Sequence, residues 1–179
     1  MKELKIYARA GQGAITSAVI LGQALFLEGK YAYGFPNFGA ARMGAPMNAF
    51  LRFDDKPVRS RCQIYHPDYI LIIDPSLIKT LDCFAGFKEG GIAIINVKQN
   101  SEIPTLNKRK VITISAEEIA LQTIGKPFAN TPLLGAFARV SGEVQLESLL
   151  QAITMHFSGK RKEALDKNLE AVRKGYEAV

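Results

Sequence analysis

Gly11-Gln12-Gly13 is the stretch best suited to hold a ligand. It follows a short alternating run, Leu4-Lys5-Ile6-Tyr7-Ala8, and precedes a helix-forming run from Ala14. At such a strand-to-helix turn, exposed backbone N–H groups and the helix dipole favour an anion, commonly a phosphate. Thr16, one turn into the helix, can add a hydroxyl donor. The spacing is not GxGxxG, because position 16 is Thr, and no Gly-Lys-Ser/Thr follows to make a P-loop. The same glycines equally suit a bare sharp turn into a close-packed helix. Spacing alone leaves both readings open.

Other reactive side chains are few. Asp74 ends an apolar run, where ligands of open α/β sheets collect, but Pro75-Ser76 follows and a turn cap is the favoured reading. His66 precedes a proline and reads as structural, and His156 reads as a helix-edge residue. Cys62 and Cys83 lie 21 positions apart with no CxxC spacing, and read as small core hydrophobes. An iron–sulfur cluster takes about four thiolates, so this chain cannot hold one alone. No HExxH is present. The residues therefore assign no catalytic group and no metal ligand.

The formal charge is +6, gathered at Arg52 to Arg61, Lys108-Arg109-Lys110 and Lys160-Arg161-Lys162. Such clusters read first as a solvated face, then as a site for a phosphate-bearing small ligand or an acidic protein. Nucleic acid comes last, because no helix-turn-helix, zinc finger or RNP-like motif accompanies the charge. With 179 residues, 47% of them hydrophobic, one domain over residues 1–179 with one core is expected. No apolar run approaches the roughly 20 residues of a membrane span. Glu3 and Lys5 interrupt the first apolar run, against a signal peptide. A cytoplasmic protein without membrane contact is expected.

The elements that must position the glycine turn read as an α/β pattern. The first strand and turn are followed by a helix over Ala14 to Glu28, apolar on most faces and closed by Gly29. Tyr31 to Pro46, rich in glycine, proline and aromatics, reads as a long loop. Met47 to Phe53 reads as a strand, Asp54-Asp55-Lys56-Pro57 as a turn, and Val58 to Ile64 as a second strand closing an antiparallel hairpin. Tyr69 to Ile73, Gly91 to Asn96 and Val111 to Ser115 read as strands covered on both faces, with Lys98 to Lys110 a polar loop. Ser115 with Glu118 suggests a capping box for a helix from Ala116. Leu146, Leu149, Leu150, Ile153 and Phe157 form one helical stripe, and Leu165, Leu169, Val172 and Tyr176 another.

Five motifs in order resemble one family. They are Ala8-Arg9-Ala10-Gly11-Gln12-Gly13; Phe35-Pro36-Asn37-Phe38-Gly39 leading to Arg42-Met43-Gly44-Ala45-Pro46; Pro67-Asp68 with Asp74-Pro75-Ser76-Leu77; Asn130-Thr131-Pro132-Leu133-Leu134-Gly135-Ala136; and Asn168-Leu169 with Gly175. Over nearly its whole length the chain resembles the gamma subunit of the 2-oxoacid:ferredoxin oxidoreductases, with Ala49-Phe50-Leu51-Arg52 resembling the pyruvate type. The resemblance implies a three-layer α/β/α Rossmann-like sheet, mostly parallel with an antiparallel insertion. It implies a subunit of a complex that decarboxylates a 2-oxoacid oxidatively with coenzyme A and reduces ferredoxin. Alpha and beta subunits would carry thiamine diphosphate, and a delta, ferredoxin-like subunit the iron–sulfur clusters. This chain would contribute coenzyme A binding and assembly.

On that resemblance Gly11, Gln12, Gly13 and Thr16 would cradle a phosphate. Arg42 would pair with a coenzyme A phosphate or a partner carboxylate. Asn130 would cap the helix at Thr131-Pro132 and face the same site. Ala8 and Ala10 stand where the family has glycine, Ala41 where glutamate is common, and Met43 where many members have a second arginine. Two other readings are an arylpyruvate-type small subunit and a stand-alone module for a nucleotide-like ligand. The aromatics from Tyr31 to Phe38 favour an interface over the latter.

Overall fold

A computed structural model of the protein describes residues 1–38, 43–97, 105–159 and 161–179, with the side chain of residue 38 left out. Strand β1 (Lys2–Arg9) leads through the glycine turn into helix α1 (Ala14–Leu27). Strands β2 (Tyr31–Phe38), β3 (Pro46–Asp54), β4 (Tyr69–Ile72), β5 (Ile92–Asn96) and β6 (Lys110–Ile114) complete one sheet, in the order β2-β3-β1-β4-β5-β6. Helices α2 (Ala116–Thr123), α3 (Asn130–Ser141), α4 (Leu146–His156) and α5 (Lys162–Glu177) follow. Strands β1, β4, β5 and β6 run parallel, while β3 is antiparallel to both β1 and β2. The α/β architecture is the expected one.

Alternation along each strand divides the sheet between two cores. Leu4, Ile6, Ala8 and Leu71 face a core to which all five α-helices contribute. Tyr7, Ile70, Ile72 and Ile95 face the other side, beneath a short 3-10 helix (Pro75–Lys79), Cys83 and Phe87. Burial on both faces explains why Tyr69 to Ile73 is apolar without alternation.

The antiparallel pair lies earlier than expected. Tyr31 to Phe38, the first half of the expected loop, is strand β2, which pairs with β3 from Tyr31↔Asp54 to Phe38↔Met47, while residues 39–42 lie outside the described residues. Pro36 is compatible with a strand because β2 is an edge. Val58 to Ile64 forms no strand. The buried Arg52 guanidinium holds it instead, donating to the carbonyls of Cys62 and Gln63 while pairing with Glu3 at 2.8 Å. Cys83 is buried as expected, whereas Cys62 lies exposed in this irregular segment. Ser115 makes no side-chain cap. Asn96 at the end of β5 takes that role, its Oδ1 accepting from Glu117 N–H at 3.2 Å while its Nδ2 donates to the Ile73 carbonyl.

Helices α3 and α5 cross closely because two glycines meet backbone. A Cβ on Gly135 would lie 2.0 Å from the Val172 carbonyl oxygen, and one on Gly175 2.0 Å from that of Pro132. Buried Thr131 donates to Asn168 Oδ1 at 3.1 Å, and Asn168 donates to the Ala164 carbonyl at 2.7 Å. This crossing fixes the start of α5 against the start of α3. Among the described residues no helix is long and apolar enough to cross a membrane.

Candidate functional site

The glycine turn opens onto a cleft of about 620 Å³. Gly11, Gln12, Gly13 and Thr16 form one wall, and Asn130 and Thr131 the next. Ile124, Lys126 and Phe128 form a rim. The opposite wall runs from His156 and Phe157 to Arg161, Glu163, Ala164, Lys167 and Asn168.

Three helix starts, those of α1, α3 and α5, converge here, and none carries a side-chain cap. The first-turn amides of α1 have no intrahelical acceptor, and its first turn has no acidic residue to offset the dipole. Lys126, Arg161 and Lys167 add positive charge, and the Lys126 ammonium lies 5.8 Å from the centre of the half-exposed Phe128 ring. Glu163 is the one acidic residue lining the cleft among the described residues. It pairs with Lys167 at 2.7 Å, and that bond holds its carboxyl below the ordinary range.

The turn is left-handed at both glycines, with φ 98° at Gly11 and 85° at Gly13. A Cβ on Gly13 would lie 2.6 Å from Asn130 Nδ2, so the Asn130 side chain rests on the turn. Asn130 is not the expected cap, since it is the first residue of α3, Ala129 precedes it at the cap position, and no side-chain cap bond forms. The reason is that Ala129 already has helical backbone angles, and its carbonyl accepts from Leu133 N–H. Gln12 faces its own turn. Its Oε1 accepts from Arg9 N–H at 2.7 Å, its Nε2 donates to Asp74 Oδ2 at 2.9 Å, and its N–H donates to the Arg9 carbonyl.

Asp74 caps the 3-10 helix through Ser76, as its sequence context suggests. Burial raises its carboxyl, but the bonds from Ser76 and Gln12 and the Arg9 charge outweigh this and hold it below the ordinary range. Met43 lies at the other side of the turn, where a Cβ on Gly11 would come within 2.8 Å of its sulfur. Arg42 and Ala41 lie outside the described residues. Thus five of the six expected site residues line one cleft. Lys126, Phe128 and Lys167 are not among the expected residues, and Arg161 is named there only within a basic run. The basic run around Arg161 was the available signal, but nothing local tied it to the glycine turn.

The chain is similar in sequence and fold to known proteins. Residues 3–178 match the family model described as pyruvate ferredoxin/flavodoxin oxidoreductase. The chain is 46% identical, over 99% of its length and 96% of the relative's, to the pyruvate/ketoisovalerate oxidoreductases common subunit gamma of Thermococcus litoralis. Pyruvate oxidoreductase subunit PORC of Thermotoga maritima superposes with a TM-score of 0.82 at 34% identity, covering 99% of this chain and 96% of that one. The fold also lies within the longer 2-oxoglutarate:ferredoxin oxidoreductase chain of Magnetococcus marinus, at a TM-score of 0.84 and 20% identity, covering 99% of this chain and 31% of that one. That structure holds 2-oxoglutarate, coenzyme A and succinyl-CoA. By the family match and this full-length identity, the chain belongs to the pyruvate ferredoxin/flavodoxin oxidoreductase family, as one of its gamma-type subunits.

Proposed function

We propose that residues 1–179 act as one gamma-type domain that binds coenzyme A in the cleft and presents it to a cytoplasmic pyruvate:ferredoxin oxidoreductase complex. The observation carrying this is the convergence of three uncapped helix starts with Lys126, Arg161 and Lys167 on one cleft. Coenzyme A brings several phosphate charges, which such amides and cations suit. Phe128 beside Lys126 offers a face for the adenine ring.

The chain's own work is to bind and orient. Thiamine diphosphate, in the alpha and beta subunits, would supply decarboxylation. Clusters in a delta subunit would pass electrons to ferredoxin, since two cysteines here fall short of the about four thiolates a cluster takes. Gly11, Gly13 and Thr16 hold phosphate in this account, with Asn130 against the turn. Arg42 takes a phosphate or a partner carboxylate.

Two measurements test the reading. Anaerobic affinity purification of the tagged chain from its own cells should bring larger chains and a brown eluate that reduces ferredoxin on pyruvate and coenzyme A. A colourless single band would count against the complex. Titration calorimetry should show coenzyme A binding weakened about tenfold or more in Lys126→Ala/Arg161→Ala. Unchanged affinity in that variant would move the phosphates elsewhere. The Arg42→Ala variant, if equal to wild type, removes Arg42 from the site.

A further inference from the structure

Gln12 lies in the wall of the cleft and Arg9 and Asp74 stand beside it, yet the polar side-chain atoms of all three face one another. Gln12 accepts from Arg9 N–H and donates to Asp74. Asp74 comes from the far end of β4 and also binds Ser76 through N–H and Oγ, at 3.0 and 2.6 Å. The Arg9 guanidinium meets the same carboxylate at 3.2 Å, the Ser76 hydroxyl at 3.0 Å and the Gly44 carbonyl at 3.2 Å. Gly44 and Ala45 in turn exchange backbone bonds with Ala10. One guanidinium and one carboxylate thus join the glycine turn, the β4 end and the turn before β3.

We infer that Arg9, Gln12 and Asp74 are positioning residues, a clamp that aims the amides of Gly13 and the first turn of α1 into the cleft without touching the ligand. A turn with two glycines is permissive, and fixing its residues costs backbone entropy. An anion site made of backbone amides gains affinity only when their directions are set beforehand. The clamp sets them through the side-chain bonds of Gln12 and Arg9 and the ion pair with Asp74. Arg9 has a second effect, since it neutralises a carboxylate that would otherwise repel an anion at the turn. The functional meaning rests on the coenzyme A reading, whereas the geometry of the clamp does not.

Charge and position predict opposite results for one substitution. Gln12→Glu sets carboxylate against carboxylate. Asp74→Asn adds net positive charge but cannot accept from Gln12 and from Ser76 as the carboxylate does. The Gln12→Glu/Asp74→Asn double restores donor to acceptor with the direction reversed, the amide now at position 74 and the carboxylate at position 12, and keeps the wild-type charge. On the full chain, calorimetry with coenzyme A should show each single variant weakened about tenfold and the double recovered to within about threefold. Hydrogen exchange of the amides from Gly11 to Thr16 should quicken in each single variant and slow again in the double. In the purified complex the KM for coenzyme A should rise in the single variants while kcat holds. Asp74→Asn binding as tightly as wild type or tighter would overturn the clamp, as would a double variant that recovers neither readout. A wild-type chain that takes no coenzyme A overturns the proposed ligand, and the exchange pattern alone then decides the clamp.

Discussion

Met43 stands beside the glycine turn, at a position where the resemblance implies a second arginine in many members. Its sulfur lies against Gly11, so a cation in its place would stand beside the glycine turn. Met43→Arg should tighten coenzyme A about two- to fivefold at low salt, with the gain fading as salt rises. Affinity that stays flat across ionic strength would show that the side chain points away from the ligand. Asp74 gives a pH signature. Its folded pKa is depressed, so its contribution to stability is complete above its unfolded value of about 3.9 and is lost as pH falls through and below that value. Acid titration of unfolding should therefore show a shallower loss of stability below about pH 4 in Asp74→Asn than in wild type. Matching acid limbs would mean that Asp74 is no better held folded than unfolded. At this scale the glycines were legible, because a left-handed turn between strand and helix leaves few alternatives to glycine. The fate of Gln12 was not, since the atom it meets lies 62 residues away.

Among the elements, the crossing of α3 and α5 matters most, because it carries the start of α5 to the cleft. A Cβ on Gly135 or Gly175 would meet a carbonyl oxygen at 2.0 Å, and backbone cannot rotate aside as a side chain can. Gly135→Ala and Gly175→Ala should each cost about 1–3 kcal/mol or more in denaturant unfolding, and should weaken coenzyme A binding by withdrawing Arg161 and Lys167. Destabilisation with full affinity would separate the crossing from the site. The central strands were legible from apolar runs, and α4 and α5 from their stripes, because burial imposes those patterns directly. The edge strand β2 was hidden by Gly34 and Pro36, which an edge position tolerates. The start of α2 at Ala116 was legible, but its cap was not: Asn96, from another strand, replaced the local cap that Ser115 promised.

At the scale of the whole molecule, the cleft exists only because residues 11–16, 124–131, 156–157 and 161–168 meet, and no local pattern encodes that meeting. The motifs in order identified the family and placed the glycine turn and Asn130, but the cations that complete the site are surface lysines and arginines indistinguishable in sequence from solvated ones. Their convergence predicts an electrostatic ranking of ligands. Coenzyme A, dephospho-coenzyme A and pantetheine bear progressively fewer phosphates, so affinity should fall in that order. Each phosphate removed should also flatten the dependence on salt, because charges at this half-open cleft are screened within about 8–10 Å at ordinary ionic strength. Pantetheine binding should be nearly indifferent to salt and to Lys126→Ala/Arg161→Ala. The Phe128→Ala variant should weaken coenzyme A and dephospho-coenzyme A alike, since both carry the adenine ring, while sparing pantetheine. Equal affinities for all three ligands would mean that the pantetheine arm, not the phosphates, is what the cleft reads, and the converging helix starts would then need another anion to explain them.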